Sequence, residues 1–390
     1  MINDNSYKIK NTKLSSWIIE ICKKKNIFYL TSTQQAIIPA IINGKDSIVF
    51  SRTGTGKTLS FILPLIDIEY IYFSNCFIGI ITPTLELGVQ IYETYNFIGR
   101  RKKISTILLD KKFKNHHFKE KKNCWVFTVF SINKFLNTTS LFPIYKRSIL
   151  VFDEVDILIR PENFFLIKKI TMKTVPSQIN LFGVTNSNVF FYFGGFLYKK
   201  NIFFYNEKHN RFNFFSEIKH EYIYCKSQLK FKLLLILLKS RERNKIKWKE
   251  SNPILIFTKN QKMCKDFAEI LKKNKIFTNS LHHEMNDLQR VLSVHMVKKG
   301  VTNNLITTDL ASRGVNFSFM NFIVNLDIPI KTETYANRIG RIGRFKKKGY
   351  CLNIVDKYEI NFIHEIEKNS GICINKANLF LKKKLLSTQI

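Results

Sequence analysis

The octapeptide SRTGTGKT (51 to 58) constrains the fold more than any other stretch, because of what stands on either side of it. The apolar run DSIVF leads in and the helical pattern LSFILPLI follows, which is the strand, glycine turn and helix start that a phosphate-binding loop requires. Gly54 and Gly56 let backbone N–H groups of Ser51, Thr53 and Thr55 curl round an oxyanion. Lys57 supplies a point charge to the β and γ phosphates, and Thr58 offers its hydroxyl to Mg²⁺. The first glycine of the strict pattern is Ser51 here.

Such a loop needs a parallel α/β sheet around it, and the chain repeats the required alternation. Between about residues 14 and 208, DSIVFS, CFIGIITP, NCWVFTVF, SILVFDE and INLFGVT are separated by helical patterns. The polar and aromatic stretch FFYNEKHNRFNFF (203 to 215) breaks the alternation and marks a linker candidate. After it come EYIYC, helical QLKFKLLLILLKS, NPILIFT, helical MCKDFAEILKKN, NLITTD, NFIVNLD and YCLNIVD. With 390 residues, 45% of them hydrophobic, two α/β units in tandem can each bury a core. The boundaries expected are 1 to 208, a linker at 209 to 217, 218 to 370, and a basic tail at 371 to 390.

A nucleotide loop calls for carboxylates elsewhere, and ILVFDEVDIL (149 to 158) runs a buried strand into acids. Asp153 suits a Mg²⁺ ligand and Glu154 a group that orients and deprotonates water. Asp156 either bonds to the second unit or caps the following helix.

These pieces resemble the DEAD-box RNA helicases, with Asp153-Glu154-Val155-Asp156 as the DEAD motif carrying Val for its Ala. NIFYLTSTQQAIIP resembles the adenine-binding Q motif through Gln34, Pro39 and Gly44-Lys45-Asp46, with Asn26-Ile27 for the family's Gly-Phe, so that Ile27, or Phe28 beside it, covers the adenine. TPTLELGVQ is similar to PTRELAxQ, matching at Pro83, Thr84, Glu86, Leu87 and Gln90, with Leu85 for the Arg. Thr128 keeps the register of the TPGR motif, whose Pro, Gly and Arg are Val129, Phe130 and Ser131 here. Gly183, Val184 and Thr185 stand in the SAT position. In the second half ILIFTKN, Arg290 of LHHEMNDLQR, TTDLASRGVN and NRIGRIGR follow in family order, with Asp287, Asn316 and Asn337 replacing a Gln, an Asp and a His.

The resemblance implies two tandem RecA-like domains with an ATP and RNA cleft between them, and Mg²⁺ beside the ATP. It implies catalysis by Lys57, Asp153, Glu154, Arg341 and Arg344, and a ribose contact at Asn316. It implies RNA backbone contacts at Pro83, Thr84, Arg290, Thr308 and Gly314, and coupling through Asp156, Thr185 and Asn337. The layout around DEVDIL and IVDKYEINFIHEIEKN resembles nucleolar members that assist ribosome assembly, which implies pre-ribosomal particles or a protein activator as partners. The changes at Leu85, Gly183, Asn337 and the TPGR register remove donors, so an ATP-gated RNA clamp with weak unwinding is the second reading; a DNA translocase is disfavoured by the DEVD arrangement.

The formal charge of +34 suits a polyanion, although Lys, Asn, Ile and Phe abundance also matches A+T-rich coding drift. The seven cysteines are scattered singly, as structural thiols of a reducing compartment are. MINDNSYKIKNTK has no apolar signal core and FKLLLILLK is too short for a span, so an intracellular protein is expected. His282-His283 reads as a surface turn rather than a metal pair, and Lys111, Lys112 and Lys114 are candidate replacement phosphate contacts.

Overall fold

The computed structural model describes residues 7–51, 54–72, 75–109, 123–129, 131–132, 136, 147–159, 161–184, 193, 202–207, 218–242, 253–312, 315, 317, 319–342 and 349–377. The chain divides into two compact units, Met1–Glu207 and Lys208–Ile390.

In the first unit a small antiparallel ribbon pairs β1 (Tyr7–Lys8) with β2 (Tyr29–Leu30). The main sheet has seven parallel strands: β3 (Ser47–Phe50), β4 (Cys76–Thr82), β5 (Thr106–Leu109), β6 (Cys124–Thr128), β7 (Arg147–Phe152), β8 (Gln178–Gly183) and β9 (Phe203–Asn206). Their order across the sheet is β5-β6-β4-β7-β8-β3-β9. The central strand β4 is buried at every position, and its alternate side chains feed two cores. Ile78 and Ile80 face one, with Ile62, Ile66 and Ile91; Phe77 and Ile81 face the other, with Phe127, Phe152 and Ile170. Helices on both faces of a parallel sheet are what such continuous apolar runs require.

Strand β9 corrects the linker reading of 203 to 215, since Phe203–Asn206 pair in parallel register with Ser47–Phe50. It is an edge strand with alternating half-buried and exposed residues, so it lacks the fully apolar signature of the interior strands. The expected linker at 209 to 217 lies outside the described residues.

The second unit repeats the plan with β10 (Ile218–Tyr224), β11 (Ile254–Phe257), β12 (Thr278–Leu281), β13 (Asn304–Thr307), β14 (Phe322–Asn325), β15 (Gly349–Val355) and β16 (Asn375–Lys376). The order is β12-β13-β11-β14-β15-β10-β16, all parallel. The fold continues past the expected tail boundary: Ile372 and Ile374 are buried in the core, and Asn375 pairs with Glu221. Residues 378 to 390 lie outside the described part. Among the described residues no helix is long and apolar enough to cross a membrane. All seven cysteines are free thiols, and burial pushes Cys22 and Cys264 up to about 11.

Candidate functional site: a phosphate loop facing a buried acid

The first-unit site is built on the carboxyl ends of three neighbouring strands, β7, β8 and β3. Helix α1 (Ser16–Lys24) and helix α2 (Ser32–Ile42) precede β3, and helix α3 (Lys57–Tyr72) begins at the loop lysine. Lys57 is buried, and its Nζ donates to the carbonyls of Ser51 at 2.8 Å and Gly183 at 3.3 Å. The ammonium is thus held between the ends of β3 and β8, and these two bonds use two of its three donors.

The loop is braced from behind by helix α2. Thr31 and Gln34 form a reciprocal capping box at its start, with Gln34 N to Thr31 Oγ1 at 3.2 Å and Thr31 N to Gln34 Oε1 at 3.0 Å. The same two side chains donate into the loop, Thr31 Oγ1 to the Thr55 carbonyl at 2.7 Å and Gln34 Nε2 to the Gly56 carbonyl at 3.3 Å. Gly56 adopts φ +86, and a Cβ there would lie 2.4 Å from Gln34 Nε2, so glycine is demanded twice over. Thr31 was missed in the sequence, although its T-x-x-Q spacing carries the capping-box signal. Asn26, where the family has glycine, takes φ 58, a conformation Asn tolerates because its short polar side chain bonds locally. Ile27 beside it is half-buried and Phe28 is exposed. Thr58 is half-buried in the first turn of α3, while Thr53 lies outside the described residues.

The acids sit across from the loop. Asp153 is buried, and burial first, then the adjacent Glu154 carboxylate, pushes its carboxyl up to about 7, against the pull of Lys57. Its Oδ1 accepts from the Glu154 N–H at 3.0 Å. Glu154 adopts φ 51 and ψ 49 and precedes the short helix Val155–Leu158. Two adjacent carboxyls, one buried and hard to ionise, are a donor set that suits a divalent cation; the cation's charge would draw Asp153 into its ionised form.

Asp156 neither caps that helix, whose preceding residue is Glu154, nor stands idle. Its Oδ1 accepts from the Val184 N–H at 3.2 Å, joining the acid motif to the GVT segment through backbone. The substitution of Gly for Ser at 183 has a steric counterpart. A Cβ on Gly183 would lie 2.9 Å from Asp156 Oδ1 and 3.0 Å from Val155 Cγ1, so the branched Val155 occupies room that a small Ala would leave. Gly183→Ser is expected to cost about 1–3 kcal/mol by overpacking. Adding Val155→Ala should recover part of it, with a coupling energy of about 0.5–3 kcal/mol in a double-mutant cycle read by denaturant titration. Strict additivity would show that the two positions do not share this space. Thr185 lies outside the described residues.

The carboxyl ends of β4 and β6 carry the positions that resemble the family's RNA motifs. Pro83 and Thr84 follow β4, half-buried, and Thr84 Oγ1 caps helix α4 (Leu85–Gly99) by accepting from Leu87 N at 3.4 Å. Leu85 is buried, so the side chain that replaces the family's Arg has joined the apolar packing. Ser131 Oγ closes the turn after β6, accepting from Thr128 N at 3.0 Å and donating to its carbonyl at 2.9 Å. The altered TPGR register is thus a self-satisfied turn. Trp125 and Phe193 are core residues.

The second unit holds its own cluster. Arg338, on the helix Thr332–Ile339, makes a bidentate pair with Asp309 at 2.6 and 2.7 Å and donates to Asn325 Oδ1 at 2.9 Å and the Asp327 carbonyl at 2.7 Å. This anchor, missed in the sequence, fixes the turn that carries Arg341. Arg341 is buried and donates to the Val315 carbonyl at 3.0 Å. Arg290 and Thr308 are buried, and Asn337 is exposed. Gly314, Asn316 and Arg344 lie outside the described residues, as do Lys111, Lys112 and Lys114. His282 departs from the surface-turn expectation, for it is buried, and burial with Lys265 and Arg290 lowers its pKa; His283 is exposed. Among the described residues no group of His, Cys, Asp and Glu could by itself hold a metal ion, so Asp153 would need ligands from water and nucleotide.

Two family models match the chain: the DEAD/DEAH box helicase over residues 31–187 and the helicase conserved C-terminal domain over 229–346. The probable ATP-dependent RNA helicase DDX49 of Homo sapiens is 26% identical over 363 residues, covering 91% of this chain and 74% of that protein. The ATP-dependent RNA helicase dbp8 of Schizosaccharomyces pombe is 24% identical over 386 residues, with 96% and 84% covered. The ATP-dependent rRNA helicase RRP3 of Saccharomyces cerevisiae is 26% identical over 369 residues, with 93% and 72% covered. In fold, the chain matches S. cerevisiae Dbp5 bound to RNA and ADP BeF3 with a TM-score of 0.78 at 22% identity, covering 96% of each chain.

Proposed function

Because the chain belongs to the DEAD/DEAH box helicase family and is an ATP-dependent RNA helicase, we propose that Lys57, Asp153 and Glu154 carry its hydrolysis step and that ribosomal RNA is its substrate. The observation that carries the catalytic assignment is Lys57 held between the Ser51 and Gly183 carbonyls and facing buried Asp153. Lys57 and the loop N–H groups bind the β and γ phosphates. Glu154 orients the attacking water and takes its proton. Asp153 and the Thr58 hydroxyl are the protein groups that would hold Mg²⁺, whose positive charge would offset that of the phosphates. Arg341, with Arg344, stabilises charge on the departing phosphoryl group.

Asp156, accepting from the Val184 N–H, couples the acid motif to the end of β8, and Pro83, Thr84 and the Thr128 turn, after β4 and β6, meet the RNA backbone. Arg290, Thr308 and Gly314 serve the second unit's share of the strand. Contacts to phosphate and 2′-OH leave the bases unread, so recognition of a particular rRNA comes from RNA shape or a partner particle. The likeness to relatives named as an rRNA helicase supports this substrate, and a nucleolar location follows from it. The clamp reading, motivated by Gly183 and Asn337, is not favoured: the relatives are named as ATP-dependent RNA helicases, and Gly183 fits the space left by Asp156 and Val155.

Lys57→Ala is expected to weaken ATP binding by at least about tenfold, the equivalent of losing one charge-assisted bond. Equilibrium binding of a fluorescent ATP analogue measures this, and unchanged affinity would remove Lys57 from the phosphate site. Crosslinking the protein to cellular RNA and sequencing the product tests the substrate, with rRNA precursors the expected majority.

A further inference from the structure

At the amino ends of the first sheet's strands, away from the phosphate loop, α3 and α4 finish side by side, and α1 lies across them, its first turn against Tyr70 and its far end against Phe97. Tyr72 ends α3 just before β4, the cationic turn Arg100–Lys102 follows α4 before β5, Lys23 and Lys24 end α1, and Arg147 opens β7. Contacts tie these ends into one surface. Lys25 Nζ lies 4.2 Å from the centre of the Phe97 ring, Lys102 Nζ 5.0 Å from Tyr70 and the Arg147 guanidinium 5.1 Å from Tyr72. Trp17 packs edge-on against Tyr70 at 5.4 Å, and Arg101 pairs with Glu20 at 2.5 Å.

The cationic runs 23–25 and 100–103 are all exposed, and so are the rings between them: Phe97 at 53%, Tyr72 at 42% and Tyr70 at 39%. Positive charge alone would say little in a chain with 63 Lys and Arg. Large rings left half in water, each with a cation held over it, are the additional feature. Single-stranded nucleic acid is bound by this combination, in which rings stack bases and cations follow the phosphates. The surface is also remote from the chemistry: α3 has 16 residues, so at 1.5 Å per residue its far end lies about 24 Å from Lys57.

We propose that this surface of the first unit is a second RNA-binding site, which holds single-stranded RNA without nucleotide by stacking bases on Tyr72 and Phe97 and pairing phosphates with the runs 23–25 and 100–103. It rests on the chain's action on RNA, and it gives the enzyme a grip that persists through the ATP cycle. An acidic protein segment would satisfy the cations but gain nothing from the rings.

Fluorescence anisotropy of the full chain with a labelled single-stranded RNA of about 16 nucleotides, without nucleotide and across a KCl series, tests the site. Replacing Lys23, Lys24, Lys102 and Lys103 by Ala should weaken binding at least about tenfold and make the slope of log K against log salt shallower by about 3, since each neutralised phosphate contributes about 0.7 on a single strand. The double variant Tyr72→Ala, Phe97→Ala should lose about tenfold on RNA yet bind heparin like the unaltered chain. Unaltered RNA affinity in either variant overturns the proposal, and so does a parallel loss on heparin in the aromatic variant. RNA-stimulated ATPase of the unaltered chain is read separately; its absence would refute the helicase function while the variant affinities still decide the second site.

Discussion

Replacing Glu154 by Gln should lower kcat for RNA-stimulated ATP hydrolysis by about 10²–10⁴-fold, the usual contribution of a positioned general base. Nucleotide affinity should hold or rise. Gln keeps the shape of the side chain at φ 51, but it removes the carboxylate that helps to push Asp153 up to about 7. Asp153 then ionises more readily, which favours a bound cation and with it ATP. The variant should therefore accumulate a complex with both ATP and RNA, visible as slow RNA release in the presence of ATP. Single-turnover hydrolysis measures the rate, and turnover at the unaltered rate would remove Glu154 from the role of base.

Arg341→Ala should slow hydrolysis by about 10³–10⁵-fold, the range found when an arginine that stabilises a departing phosphoryl group is removed. ATP affinity should change little, because the residues assigned to bind the phosphates belong to the other compact unit. The structure holds Arg341 on the Val315 carbonyl and anchors the preceding turn through Arg338 and Asp309. Arg341→Lys should restore little, since an ammonium lacks the planar fork that spans two phosphate oxygens. Affinity and hydrolysis falling together would instead make Arg341 a nucleotide-binding residue.

Much of this was legible because the chemistry demands particular residues in a particular setting. A buried strand, SRTGTGKT and a helix leave few alternatives to a phosphate loop, and ILVFDEVDIL supplies the carboxylates such a loop lacks. The interior strands could be read because burial on both faces makes them continuously apolar. Strands β9 and β16 escaped for the opposite reason: they lie at sheet edges, and β16 has only two residues, both exposed. The substitutions were visible but their consequences were not. Nothing in the sequence tells that Ser131 turns inward to bond Thr128, or that Val155 fills the room beside Gly183; both depend on distances across the fold. Likewise Asp156 had two readings until its Oδ1 was found on the Val184 N–H.

ATP hydrolysis in this chain drives RNA strand separation. RNA-stimulated ATPase and unwinding of a short RNA duplex, measured side by side on one preparation, test it most directly. Hydrolysis should rise with RNA and not with DNA of the same sequence, and unwinding should require ATP and be abolished by Lys57→Ala and Glu154→Gln alike. Robust RNA-stimulated hydrolysis with no strand separation would contradict the claim.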